Sequence, residues 1–148
     1  MKFSINQQDL QKSLSYCQGV IEKRSTLPIL SNVLLDVNNG KLTVTATDLD
    51  IIFIHQISNI EILEEGQTTT SSSIMYDIVR KFASGKKINF SNPSDNKLLL
   101  ESEKSIFNLN CINASEFPLT NEDFNANEFT IKSKQLLKLL NKCKFSVS

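Results

Sequence analysis

The chain has 148 residues, with 16 basic and 16 acidic side chains, 40% hydrophobic residues and 22% charged ones. That length suits one domain able to bury its own core, and the composition is that of a globular protein rather than a disordered or fibrous one. No apolar run approaches a membrane span, and the opening Met1-Lys2-Phe3-Ser4-Ile5-Asn6 lacks the apolar stretch of a secretory signal, so a cytoplasmic location with no membrane partner is expected.

In chain order, residues 2–5 alternate as a short strand and run into a helix over 6–24, capped by Asn6. Leu10, Leu14, Cys17 and Ile21 form its core stripe, and Lys12 falls on the opposite face. Extended runs follow at 32–37, 41–47 and 51–58. Asn39-Gly40 between the first two is a type I′ hairpin signal, because both residues tolerate positive φ. After Gly66 the pattern restarts. Residues 68–71 are extended, then a serine-led helix over 71–87 places Ile74, Ile78 and Phe82 on one face and Arg80 on the other, with Gly85 as its stop. Extended runs at 88–91, 98–102 and 106–112 are separated by polar turns. The order is β-α-β-β-β, twice. This predicts an α+β fold whose two helices lie on one side of antiparallel sheets, with Leu10, Leu14, Ile74 and Ile78 buried and Lys12 and Arg80 on a shared surface.

A third round opens after an acidic linker at 116–127. Phe3-Ser4-Ile5 sits 126 residues before Phe129-Thr130-Ile131, and the same offset sets Leu10 on Leu136, Lys12 on Lys138, Leu14 on Leu140 and Cys17 on Cys143. A repeat at that separation is domain-sized. Residues 1–126 are therefore read as one domain, and 127–148 as the opening strand and helix (132–144) of another that the chain does not complete.

The net charge of zero hides a split: the three expected helices carry +9 and the remainder −9. Such a field steers polyanions to one surface. Cys17, Cys111 and Cys143 have no metal-ligand spacing and read as reduced, semi-buried thiols. His55, in an apolar run, reads as structural, and Asp48 with Asp50 as turn residues. Ser84-Gly85-Lys86-Lys87 lacks the glycine spacing of a phosphate loop, and no nucleophile–base pair stands out, so a non-enzyme without metal or cofactor is expected.

Met1-Lys2-Phe3, Arg24-Ser-Thr-Leu-Pro-Ile-Leu30, Ala46-Thr-Asp-Leu-Asp50 and Glu116-Phe-Pro118 occur in the order and spacing of the bacterial replicative sliding clamps, the beta subunits of DNA polymerase III, and the chain resembles that family throughout. The resemblance implies the DNA clamp fold. It also implies three such domains per chain and two chains closed head to tail around double-stranded DNA, with helices lining the hole. The function it implies is that of a processivity factor tethering the replicative polymerase, whose catalysis resides in another subunit. By resemblance, Arg24 and Arg80 match DNA-contacting arginines, and Ser73 stands where relatives often carry a base. Lys12, Lys134, Lys138 and Lys142 complete the expected basic surface. Ile78, Phe82, Lys104 and Phe107 match the surface that meets the second clamp chain. The cleft for polymerase and clamp-loader peptides lies mostly outside this sequence. Two other readings stand beside it: a metal-dependent DNA-acting enzyme using Asp48, Asp50 and Asp95, and a protein-interaction module with no DNA partner.

Overall fold

Buried Phe3 and Ile5 alternate with outward Lys2 and Ser4, making Lys2–Asn6 a strand, β1. Asn6 then turns the chain into helix α1 (Gln7–Cys17), its side-chain oxygen accepting from the Gln8 N–H at 2.9 Å. The computed structural model describes residues 1–21, 27–119 and 130–144. The remaining elements of the first part are β2 (Asn32–Asn38), β3 (Lys41–Thr47), β4 (Ile52–Ile57) and β5 (Ile60–Glu64). They are followed by β6 (Gly66–Ser71), α2 (Ser72–Val79), β7 (Lys87–Ser94), β8 (Lys97–Ser102) and β9 (Ser105–Ile112), and by α3 (Ser133–Cys143) further on.

All the strand pairs among the described residues are antiparallel, in the order β4-β3-β2-β6-β9-β8-β7-β1-β5. The β2–β3 hairpin turns at Asn39 and Gly40, with φ of 51° and 78°, as the dipeptide predicts. Residues 60–64 form a strand that the sequence pattern does not predict. Only Ser58 and Asn59 separate β5 from β4, yet β4 pairs with β3 while β5 pairs with β1. Strand β9 makes the equivalent switch in one piece: most of its length pairs with β8, and Cys111 and Ile112 pair with β6. The double β-α-β-β-β plan therefore holds once β4 and β5 count as one strand broken at its middle.

Helices α1 and α2 pack on each other, α1 also touching β1, β3 and β4, and α2 touching β2 and β6. Leu10, Leu14 and Cys17 are fully buried, and Ile21 packs at the edge of the same core. Each such leucine contributes about 2 kcal/mol through burial. Phe3 and Phe90 stack across the β1–β7 pair with ring centroids 4.7 Å apart.

Both helices of this domain are shorter than predicted. After Cys17 the chain tightens, the Gly19 and Val20 N–H groups bonding to the Tyr16 and Cys17 carbonyls. After Val79 the Lys81 and Phe82 N–H groups bond three residues back. Gly85, at φ 78°, ends this turn and not the helix. The buried face of α2 is also rotated from the prediction. Ser72, Met75 and Val79 are inside, Ile78 is partly buried, and Ile74 is 52% exposed. Apolar residues at 74, 75, 78 and 79 support two adjacent stripes. The Gln18 side chain, which donates to the Ser72 hydroxyl at 2.8 Å, ties α1 to the first turn of α2 on the Ser72–Met75–Val79 side.

Helix α3 begins at Ser133 and ends at Cys143, and both ends keep the repeat's offset from the ends of α1, Gln7 and Cys17. Of the companion strand expected at 129–131, Phe129 lies outside the described residues, and Thr130 and Ile131 are not assigned to a strand. Strand β1 is held by partners on both sides; residues 130–132 have none among the described residues.

Candidate nucleic-acid interface

Shortening the helices changes where the basic charge sits. Among the described helices, α1 holds Lys12 and Asp9, α2 holds only Asp77, and α3 holds Lys134, Lys138 and Lys142. The charge split is therefore not a property of the helices; many of its bases lie in the segments that follow them. Lys86 pairs with Glu103 at 3.0 Å, and Lys87, which opens β7, pairs with Glu61. The Lys87 ammonium and the Ser4 hydroxyl together hold the Glu61 carboxyl below its ordinary range.

Lys12 and Arg80 do share a surface. Both line one groove of about 520 Å³ between α1 and the end of α2, together with Gln7, Gln11, Ser15 and Ser84. Arg80 caps α2 at its C-terminus, its N–H bonding to the Tyr76 carbonyl, and its Nε lies 3.1 Å from the Asp77 carboxylate. Gln8 bridges the groove end by donating to the Ser84 hydroxyl at 2.6 Å. The Gln7 N–H reaches the Lys86 carbonyl at 2.9 Å, fixing the start of α1 on the turn after α2. Ser73 is exposed, 3.4 Å from the Ser71 hydroxyl. Arg24 lies outside the described residues. Lys134, Lys138 and Lys142 are exposed along one side of α3.

Of the expected second-chain surface, Phe82 and Phe107 meet edge to face at 5.7 Å, and with Ile78 they flank the core. Lys104 is exposed in the β8–β9 turn, and Ile106, two residues on, is 62% exposed.

Of the carboxylates weighed for metal chemistry, Asp48 is taken up by a turn. One Asp48 carboxylate oxygen accepts from the N–H groups of Asp50 and Ile51, at 3.0 and 2.7 Å, closing the turn before β4. Among the described residues no three His, Cys, Asp or Glu side chains are grouped to hold a metal. His55 sits with the rings of Phe53 and Tyr16, at 6.2 and 6.3 Å. All three cysteines are free, but only Cys111 is semi-buried: Cys17 is fully buried and Cys143 exposed. Burial pushes the Cys17 thiol up to about 12, although a hydrogen bond from its own backbone acts the other way, so it is inert at neutral pH. No described helix is long and apolar enough to cross a membrane.

Residues 1–121 match the N-terminal domain of the DNA polymerase III beta subunit. The chain belongs to that family. It is 34% identical to the beta sliding clamp of Caulobacter vibrioides and 31% identical to that of Escherichia coli K12, aligned along its whole length in both cases. It spans 40% of the length of each of these relatives. The solved Caulobacter crescentus pol III beta structure superposes on the whole chain with a TM-score of 0.93 at 34% identity, using 40% of that chain. The Pseudomonas aeruginosa subunit covers 95% of this chain with a TM-score of 0.90 at 31% identity. The fold is the α+β DNA clamp fold: α+β as the double unit predicts, and the clamp fold as the resemblance implies.

Sequence reasoning missed Gln7 and Gln11 as groove residues. Glutamines four apart at the start of a helix were visible, but burial of the first depends on the turn after α2, which the sequence pattern presents as helix.

Proposed function

We propose that this chain forms part of a DNA sliding clamp: a non-catalytic processivity factor that encircles duplex DNA in the cytoplasm and tethers the replicative polymerase. The observation that carries the reading is the agreement, over the whole chain, with solved beta subunits at 34% identity and a TM-score of 0.93. In this reading residues 1–126 are one clamp domain and 127–148 open the next. Arg24, Lys12, Arg80 and the α3 lysines face the phosphates, with Ser73 beside them. Ile78, Phe82, Lys104 and Phe107 meet a second clamp chain, and polymerase and clamp loader bind elsewhere on the ring. Phosphate contacts of this kind are independent of sequence and weaken with salt, which suits a protein that must slide.

The test is Arg24→Glu. Binding to short duplexes of several sequences is measured against salt concentration. The variant should bind all of them more weakly, with a salt slope smaller by about one unit for each phosphate that Arg24 neutralises in the parent. Equal slopes for parent and variant would remove Arg24 from the DNA-facing surface.

A further inference from the structure

Gln7 is 2% exposed, and its amide cannot be turned around. Its Nε2 donates to the Val79 carbonyl at 2.9 Å and to Gln11 Oε1 at 2.6 Å, and reversal would set two acceptors against each other at Val79. Gln7 Oε1 is left buried with no hydrogen-bond partner among the described residues. Gln11, committed to presenting its oxygen to Gln7, turns its own Nε2 away from that bond and leaves it free to donate. Both side chains line the groove that holds Lys12 and Arg80.

We propose that this groove between α1 and α2 is a seat for one phosphate group of a DNA backbone, with Gln11 as its oriented neutral donor. Lys12 and the guanidinium of Arg80 supply the charge, Asp77 holding Arg80 through Nε. Gln11 Nε2 and the Ser15 and Ser84 hydroxyls supply donors around a tetrahedral anion. The seat rests on the clamp reading for its source of phosphate. The same chemistry is offered by free inorganic phosphate, and the experiment separates the two.

The test uses the 148-residue chain and follows the Ser15 amide and Arg80 Nε–H resonances by NMR. A short duplex is titrated in one arm and inorganic phosphate in the other. Gln11→Glu keeps the acceptor that Gln7 needs, so the fold is retained, but replaces the donor with a negative charge. Gln11→Ala removes the donor without adding charge and guards against a folding defect in the first variant. Duplex should shift both resonances in the parent. Affinity should fall about fivefold in Gln11→Ala, the net size of one hydrogen bond, and further in Gln11→Glu. If duplex binding is unchanged in both Gln11 variants while Arg24→Glu weakens it, the groove is not a seat, although the clamp reading stands. If inorganic phosphate shifts these resonances and duplex does not, the DNA assignment is overturned. If neither Gln11 nor Arg24 variants alter duplex binding, the seat and the clamp reading fall together.

Discussion

Truncating neighbouring side chains on α2 should have opposite consequences. Met75 is fully buried in the core cluster, whereas Ile74 is 52% exposed. Met75→Ala leaves a cavity and should cost about 3 kcal/mol, within the usual range for a buried methionine. In a domain of this size each kcal/mol moves the melting midpoint by roughly 2–4 °C, so a drop of about 6–12 °C is expected. Ile74→Ala loses little burial and gains helix propensity, and should stay within about 0.5 kcal/mol of the parent. Urea unfolding followed by circular dichroism measures both, with an unchanged slope confirming that the same surface is exposed. Equal losses for the two variants, or a larger loss at Ile74, would refute the assignment of the inner face to Ser72, Met75 and Val79.

Burial, with Glu65 nearby, raises the Asp36 carboxyl above its ordinary value, so the folded state favours its protonated form. The penalty is absent at low pH and appears as pH rises through the Asp36 titration. Asp36→Asn should therefore raise the unfolding midpoint at pH 7 and lose that advantage near pH 3, read from midpoints across that span. Ser73→Arg should tighten duplex binding and steepen its salt dependence, measured as for Arg24→Glu; no gain would place position 73 away from the phosphates. The 148-residue chain should run as a monomer by light scattering, with only weak association through Ile78, Phe82 and Phe107; a stable closed ring would contradict that.

The strand–helix–strand order was legible because it rests on local signals. Asn6 caps α1, Asn39-Gly40 turns the first hairpin, and the alternation in 41–47 gives the β3 boundaries directly. The break at Ser58-Asn59 was not legible as a change of partner, since which strand accepts Ile60 and Ile62 is decided by β1, far away in sequence. The α2 face was misread for a related reason. Two apolar stripes lie side by side on that helix, and tertiary contacts with α1 select between them. Lys12 and Arg80 could be put on one surface by helical spacing alone. The groove between them could not, because it is shaped by the Gln7 bonds to Val79 and Lys86, which join residues more than seventy positions apart.

Topological linkage to DNA is the claim on which the functional reading stands. The most direct measurement places a chain completed with the remaining length of its Caulobacter vibrioides relative on nicked circular duplex, using that relative's clamp loader. Retention is followed by gel filtration before and after the circle is cut. The expected result is stable retention on the circle and rapid loss from the linear product, with Arg24→Glu still retained on the uncut circle. Equal retention on circular and linear DNA would mean that contacts, not encirclement, hold the protein, and would contradict the clamp reading.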